Sequence, residues 1–194
     1  MEMNPLLKTF VNSSLWATLL ERWFLPPLFK AMPAAPKRIL EIGCGRGDTT
    51  RMLLERFPLA KITATDFDAD QVALASHRVV SKRIKFRRAD AGRLPFRRSS
   101  FDLVVEFNTF HHVERWFAAF AECSRVLAPR GVMAAMDEPL ELWNPVFRWF
   151  DRPDALFTRD EFMFAAANAG LLLEKDLGSK RIIKAVFRKK EETP

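Results

Sequence analysis

The first part of the chain carries its apolar residues at helical spacing. Between residues 6 and 24 they recur three and four positions apart, at Leu7, Val11, Leu15, Trp16, Leu19, Leu20, Trp23 and Phe24. This spacing predicts one amphipathic helix, and Pro26 and Pro27 are predicted to end it. We interpret residues 1–36 as an N-terminal helical cap. Packing on the domain and a role as a lid or a helix that lies on a membrane surface both stay open.

From residue 37 onward, short apolar segments alternate with helical segments. The predicted strands cover residues 38–42, 61–65, 84–88, 101–106 and 131–136, and the predicted helices cover residues 49–57, 69–80 and 113–127. The fourth strand is almost entirely apolar, which is typical of a strand buried on both faces. Strands that alternate with helices predict βαβ units and a parallel sheet, whose strand carboxyl ends share the edge where ligands bind.

The end of the chain has a different pattern. A helix over residues 158–169 is predicted to start at a threonine cap, Thr158, and to end at Gly170. Residues 171–175 and 181–188 then predict an antiparallel hairpin at the edge of the sheet. A length of 194 residues suits one domain, so residues 1–194 are predicted to form a single domain with its core in residues 37–194.

Composition and charge narrow the setting of the protein. Cys44 and Cys123 are the two cysteines, and their separation is not typical of metal ligands. We therefore expect no metal and no disulfide, and a reducing cytoplasm. No segment reaches the ~20 apolar residues of a membrane span. The formal charge of +7 suits a phosphate-rich partner, an anionic membrane surface or an acidic substrate.

A glycine-rich turn follows the first predicted strand and opens the first core helix. It reads Glu41-Ile-Gly-Cys-Gly-Arg-Gly47. Glycines allow positive φ and let a ligand lie against the backbone, and the helix start offers N–H groups to an anionic group. A dinucleotide fold uses G-x-G-x-x-G, whereas here the third glycine comes one position early. From these residues alone, a nucleoside-cofactor site, a dinucleotide site and a structural turn all stay open.

Several segments in register resemble the class I S-adenosylmethionine (SAM)-dependent methyltransferases. The turn, with its acid two residues before the first glycine, is similar to their motif I. Asp66 ends the second strand and Asp90 follows the third, where the family has acids that bind ribose and adenine. Residues 101–105 resemble the family's fourth strand, and residues 124–131 resemble its R-V-L-x-P-G-G turn. The pair His111-His112 resembles the ubiquinone and small-molecule methyltransferases of this family.

The resemblance, which spans residues 37–190, implies the fold and the cofactor. The fold is a doubly wound α/β fold with a mostly parallel seven-stranded sheet of order 3-2-1-4-5-7-6 and helices on both faces. The cofactor is SAM and the product S-adenosylhomocysteine. The implied cofactor contacts are Glu41, Gly43, Cys44, Gly45, Gly47, Asp66, Phe67, Asp90, Ala91, Glu106, Phe107 and His111. Catalytic candidates are Glu106, His111 and His112, because a side chain near the methyl can accept a proton. Asp137 and Glu138 at the same edge are further candidate bases, and packing or capping of the following helix stays open for the two histidines.

Neighbouring polar residues have structural interpretations. We expect Cys44 to contribute its backbone and not a reactive thiol. Asp48 and Asp68 are each predicted to cap the helix that follows. Asp102 is predicted to have a structural role where the fourth strand begins.

The methyl acceptor is predicted from the aromatic segments at either end of the core. Trp16, Trp23, Glu138, Trp143 and Phe147 are the candidate acceptor contacts, and such walls suit a small apolar or amphiphilic molecule. A dimer interface and ordinary core packing also stay open for these segments. An RNA or protein methyltransferase that uses the basic run over residues 82–98 is one alternative. No N-P-P-[YF] motif follows the fourth strand, which argues against a nucleic-acid acceptor. A non-catalytic SAM-binding scaffold is another alternative, and both a monomer and a homodimer stay open.

Overall fold

The computed structural model describes residues 13–139 and 157–191. Its helices are α1 (Ser14–Leu19), α2 (Pro26–Ala31), α3 (Asp48–Arg56), α4 (Ala69–Arg78), α5 (Trp116–Val126) and α6 (Arg159–Asn168). Its strands are β1 (Arg38–Ile42), β2 (Lys61–Asp66), β3 (Ile84–Arg88), β4 (Phe101–Phe107), β5 (Leu127–Asp137), β6 (Leu171–Asp176) and β7 (Ile183–Lys189). A π-helical turn over Leu20–Phe24 and a 3-10 turn over Phe110–His112 complete the list.

These strands form one seven-stranded sheet in the order β3-β2-β1-β4-β5-β7-β6, which confirms the predicted fold. The first five strands pair in parallel, and β7 is antiparallel to both β5 and β6. Chain order reverses between β1 and β4, where the crossover connections diverge to either side. In open α/β sheets a ligand binds beside the carboxyl ends of the strands at this reversal.

The sheet separates two apolar cores because side chains along a strand point alternately to its two faces. In β4, Leu103, Val105 and Phe107 belong to one core, with α2, α3 and α4, while Val104 belongs to the other. Phe101 also lies in this second core, because the register of β4 shifts between Phe101 and Leu103. The second core is rich in phenylalanine, contributed mainly by α5 and α6 and the turn before α5, including Phe110, Phe120 and Phe162. Since both faces of β4 are covered, the strand is buried as its apolar sequence predicts.

The N-terminal cap differs from the single helix predicted over residues 6–24. Residues 6–12 lie outside the described part of the chain. Beyond them, α1 passes into the π-helical turn, and a second helix then starts at Pro26. Proline lacks an N–H and has a helix-compatible φ, so it is tolerated in a first helical turn. Pro26 therefore starts a helix as well as ending one. Among the described residues, no helix has the length and apolarity required to cross a membrane.

Two further boundaries differ from the prediction. The helix predicted over residues 113–127 is preceded by the 3-10 turn and begins only at Trp116. β5 begins at Leu127, four residues before the predicted start, and it pairs there with Phe101. The C-terminal prediction is confirmed: Thr158 and Glu161 form a capping box at the start of α6, and Gly170 follows its end with a φ of 74°.

Candidate functional site

Parallel pairing brings the predicted site residues to one edge of the sheet. Ile42, the last residue of β1, lies beside Thr65 of β2 and Glu106 of β4. The segments that follow these strands therefore start next to one another. They carry the glycine-rich turn, Asp66, Phe67, and the loop from Phe107 to His112. Asp90 follows β3, the next strand outward.

All three glycines of the turn have left-handed backbone angles, but their surroundings differ. Gly43, Gly45 and Gly47 have φ values of 74°, 50° and 91°. A Cβ on Gly43 would lie 1.9 Å from Oγ1 of Thr109, and a Cβ on Gly47 would lie 2.9 Å from Cγ2 of Val79. Beside Gly45 there is no atom within 4 Å of such a Cβ. Two glycines are thus required by packing inside the protein, and Gly45 borders open space where a ligand can approach.

The turn is anchored to the neighbouring strand through its backbone. The N–H groups of Gly43 and Cys44 both donate to Thr65 O, at 2.8 and 2.9 Å. The Cys44 side chain is buried, and burial raises the pKa of its thiol. A protonated, buried thiol is a poor nucleophile. Cys44 therefore contributes backbone groups, as its sequence context predicts.

Glu41, a predicted cofactor contact, has its carboxylate inside the protein. It accepts hydrogen bonds from the hydroxyl groups of Thr49 and Thr50 in the first turn of α3, the second at 2.5 Å. Burial raises the pKa of Glu41 to about 7, although both hydroxyl groups act to lower it. Its side chain thus joins β1 to the start of α3. Asp48, the first residue of α3, does not cap the helix as predicted: Gly47 is the N-cap, and the Asp48 carboxylate pairs with Arg46 and Arg78.

The Asp66 carboxylate lies next to the open side of the turn. Its Oδ2 accepts the N–H of Gly45 at 2.8 Å, and its Oδ1 accepts the N–H of Asp68 at 3.0 Å. Burial raises the pKa of Asp66, and these two backbone bonds oppose the rise. Each oxygen can accept one more hydrogen bond, so a diol on a ligand can donate to both. Asp68 caps α4 by accepting the N–H of Asp70 at 2.8 Å, which confirms its predicted role.

An exposed ring and an exposed carboxylate follow β2 and β3. Phe67 has 59% of its surface exposed. The guanidinium of Arg88 covers this ring at 5.5 Å and also donates to Phe67 O at 3.0 Å. Asp90 accepts the N–H of Gly92 at 2.8 Å and is otherwise open to solvent, while Ala91 is buried. This end of the edge can therefore stack on a planar base and accept a hydrogen bond from it.

The carboxyl ends of β4 and β5 carry a buried polar cluster formed by Glu106, His111 and Asp137. These residues are at most 2% exposed. Nδ1 of His111 lies 2.5 Å from Oδ1 of Asp137. Phe110 N–H donates to Oδ2 of Asp137 at 2.8 Å, and Thr109 N–H donates to Oε1 of Glu106 at 2.7 Å. The candidate bases Glu106, His111 and Asp137 thus come together, and the pairing of Asp137 with His111 is the part that the sequence did not predict.

The charges in this cluster are unequal. Burial and the repulsion of Asp137 raise the pKa of Glu106. Burial alone would also raise the pKa of Asp137, but the attraction of His111 and hydrogen bonds from its neighbours outweigh burial and lower it. Burial and the nearby His111 lower the pKa of His112 to about 3. Of the two carboxyl groups, Glu106 is therefore the one that more readily holds a proton and Asp137 the one that more readily ionises, and His112 is uncharged at neutral pH.

The predicted acceptor contacts are only partly described. Trp143 and Phe147 lie outside the described residues, as does the side chain of Trp16. Trp23 is 70% exposed on the π-helical turn, and Glu138 follows β5.

Sequence reasoning missed Phe29 of α2. Its ring meets that of Phe107 edge to face at 6.1 Å, so the cap reaches the carboxyl end of β4. Prolines tolerated at a helix start were the signal that could have revealed α2.

Known proteins resemble this chain in both sequence and structure. Residues 40–135 match the family described as Methyltransferase domain. A demethylmenaquinone methyltransferase of Thermus thermophilus is 35% identical over 120 residues, covering 61% of this chain and 54% of the relative. A malonyl-[acyl-carrier protein] O-methyltransferase of Geobacter sulfurreducens is 34% identical over 154 residues, covering 70% and 55%. A SAM-dependent methyltransferase from Aquifex aeolicus has the same fold, with a TM-score of 0.78, 16% identity, and coverage of 97% and 100%.

The sheet order, the glycine turn and the acids beside it define a Rossmann-like protein that binds SAM. Together with the sequence matches, they place the chain in the class I SAM-dependent methyltransferase family, close to its quinone methyltransferases. The matched region spans about half the length of these curated relatives. The described residues fit the cofactor, because open space lies beside Gly45, the Asp66 carboxylate contacts the same glycine, and Asp90 is exposed further along the edge.

Substituting the first two glycines of the turn by alanine should have different effects. Gly43→Ala adds a methyl group against Thr109 to the strain at positive φ, so we expect a loss of stability of about 3 kcal/mol. Gly45→Ala has only the backbone strain, about 1 kcal/mol, but its methyl group enters the open space and should weaken SAM binding at least tenfold. Urea unfolding and calorimetric titration measure the two effects. Unchanged SAM affinity in Gly45→Ala would contradict the assignment of that space.

The raised pKa of Glu41 predicts a pH-dependent stability. A carboxyl whose folded pKa of about 7 exceeds its ordinary value of 4.5 contributes fully below pH 4.5, and this contribution disappears as the pH rises through 7. The loss is at most about 3 kcal/mol. Relative to wild type, Glu41→Gln should therefore gain stability between pH 5 and pH 8. Denaturant unfolding across this range tests it, with the exposed Glu55→Gln as a control. If the difference in unfolding free energy between Glu41→Gln and wild type does not vary with pH, the raised pKa of Glu41 would be ruled out.

Proposed function

We propose that this protein transfers the methyl group of SAM to a small apolar or amphiphilic acceptor and releases S-adenosylhomocysteine. The observation that carries the proposal is the Asp66 carboxylate held by the N–H of Gly45, beside the open side of the turn. This arrangement presents an acceptor of hydrogen bonds and a close backbone to the same ligand. A ribose whose two hydroxyl groups are free of phosphate can donate hydrogen bonds to a carboxylate at this position.

The other predicted contacts receive roles along the same edge. Asp66 accepts the ribose hydroxyl groups, and Phe67, Asp90 and Ala91 contact the adenine. The methionine part extends along the turn toward β4. The residues proposed for that end are Glu41, Gly43, Cys44, Gly45, Gly47, Glu106, Phe107 and His111. Glu41 acts there through Thr49 and Thr50, since its carboxylate is occupied inside the protein.

Bound SAM supplies a methyl group on a positively charged sulfur, which is already activated for transfer. The protein therefore has to align the acceptor within about 3 to 3.5 Å of the methyl carbon and keep water away. The cap contributes to both tasks, because α2 brings Phe29 against Phe107 at the end of β4. A proton acceptor is needed only for acceptors that lose a proton during methylation.

An apolar acceptor agrees with the surroundings of β4 and with the relatives. Phe29 and Phe107 line the cap side of the edge, and Phe24 lies nearby under the ammonium group of Lys184, at 5.1 Å. We propose that Trp16, Trp23, Glu138, Trp143 and Phe147 extend this surface. The relatives are named for methylating demethylmenaquinone and malonyl-[acyl-carrier protein], and the first of these acceptors is lipophilic.

Label transfer identifies the acceptor class directly. The protein is incubated with methyl-labelled SAM and a cell extract, and the lipid, small-molecule, protein and RNA fractions are counted. Label in the lipid or small-molecule fraction supports the proposal. Label in the RNA or protein fraction would show that the acceptor is RNA or protein and not a small molecule. The exposed basic residues of β3 would then be the candidate contacts for it. Absence of label from every fraction, together with SAM binding, would indicate a scaffold.

Cofactor binding is predicted to depend on the two acids of the edge. Asp66→Asn and Asp90→Asn should each weaken SAM binding at least tenfold, because each loses a charge-assisted hydrogen bond. Asp160→Asn, an exposed acid at the start of α6, is the matched control and should bind as wild type does. Calorimetric titration with SAM and with NAD measures these affinities. Tighter binding of NAD than of SAM would overturn the cofactor.

A further inference from the structure

The Asp137 carboxylate is surrounded by hydrogen-bond donors although it is fully buried. Its Oδ2 accepts the N–H of Phe110, and its Oδ1 accepts the N–H of Glu138 at 2.7 Å. Nδ1 of His111 also lies within hydrogen-bond distance of Oδ1. An ionised carboxylate can only accept hydrogen bonds. Nδ1 of His111 must therefore carry a proton, which leaves the lone pair of a neutral His111 on Nε2.

Glu106 supports the same distribution of protons. Its Oε1 accepts the N–H groups of Thr109 and Phe110, at 2.7 and 3.3 Å. Two neighbouring buried carboxyl groups cannot both be ionised. Since Asp137 has the better donors and the histidine partner, the shared proton belongs to Glu106. The cluster then has one negative charge, and that charge is next to the imidazole.

The loop that carries His111 is tied to the cofactor turn. Thr109 directly precedes the 3-10 turn, and its side chain fills the space where Gly43 lacks a Cβ. The Thr109 hydroxyl also donates to Phe107 O at 3.2 Å. His111 therefore has a fixed position relative to the turn, and its burial keeps bulk water from competing for the lone pair.

The other two catalytic candidates are poor bases. Glu106 already holds a proton, and the pKa of His112, lowered to about 3, makes its imidazole too weak a base at neutral pH. The two histidine rings are 4.0 Å apart. Because His112 is neutral, it does not repel a positive charge on His111. Of the described residues Asp137, Glu106 and His112, which lie beside the imidazole, Asp137 is the one that is negative.

We propose that Asp137 is a positioning residue that holds His111 in the Nδ1–H form, so that His111 Nε2 accepts the proton the acceptor loses on methylation. The inference rests on the proposed function. The electron pair of the acceptor forms the bond to the methyl carbon, and the electron pair of the broken carbon–sulfur bond stays on sulfur. The proton of the acceptor moves to Nε2, and Asp137 stabilises the resulting imidazolium.

Nuclear magnetic resonance of nitrogen-15-labelled histidine tests the positioning without any turnover. The chain has three histidines, so His77→Gln and His112→Gln spectra assign the signals of His111. The wild-type protein at neutral pH should show a protonated Nδ1 and an unprotonated Nε2. A protonated Nε2 with an unprotonated Nδ1 would overturn the proposal.

Turnover tests the proton transfer separately. The assay uses methyl-labelled SAM and the extract fraction that takes up label with the wild-type protein. Asp137→Asn and His111→Gln should each lower kcat at least 100-fold and change SAM affinity less than threefold. The control is Asp102→Asn, whose carboxylate accepts the N–H groups of Lys37 and Arg38 at the opposite end of β4. It should keep wild-type kcat.

The outcomes separate this inference from the proposed function. Wild-type kcat in a folded His111→Gln protein would overturn the base, while methyl transfer itself would stand. If the wild-type protein does not bind SAM, the proposed function is overturned. The histidine spectra would still show whether His111 is in the Nδ1–H form. If Asp137→Asn does not fold, the wild-type spectra and His111→Gln carry the test.

Discussion

The contact between Gly43 and Thr109 is the constraint on which the arrangement of the site depends. The glycine-rich turn after β1 and the loop after β4 approach so closely that no side chain fits at Gly43. Pairing of β1 with β4 brings the two segments together, and the missing Cβ lets them touch. This contact fixes the position of the turn relative to His111. The two ends of the proposed reaction, cofactor and proton acceptor, are thereby held in one rigid geometry.

Four carboxyl groups at this edge are largely removed from water, and the structure treats each of them differently. Glu41 is held by two threonine hydroxyl groups and Asp66 by two backbone N–H groups. Glu106 keeps its proton, and Asp137 is ionised beside His111. Unpaired charges are costly in such surroundings. The edge can therefore carry several acids only because hydrogen bonds and shared protons reduce the number of charges.

The strands and helices of the core could be predicted because their signals are local, whereas the strand order came from the family resemblance. A short, mostly apolar run such as residues 101–106 is typical of a buried strand, and acids that follow parallel strands lie at the same edge of the sheet. The pairing of His111 with Asp137 could not be derived, since it joins residues 26 positions apart through the register of β4 and β5. Phe29 was missed for another reason. Its helix is a single short segment whose prolines also fit an interruption.

The central claim is that the edge beside Gly45 holds the cofactor. Backbone amide resonances followed while S-adenosylhomocysteine is added test it directly. Saturable shifts are expected at Gly43, Gly45 and Gly47 and at the residues after Asp66 and Asp90. Shifts confined to the groove lined by Met32, Val132 and Lys175, or no shifts at millimolar ligand, would contradict it.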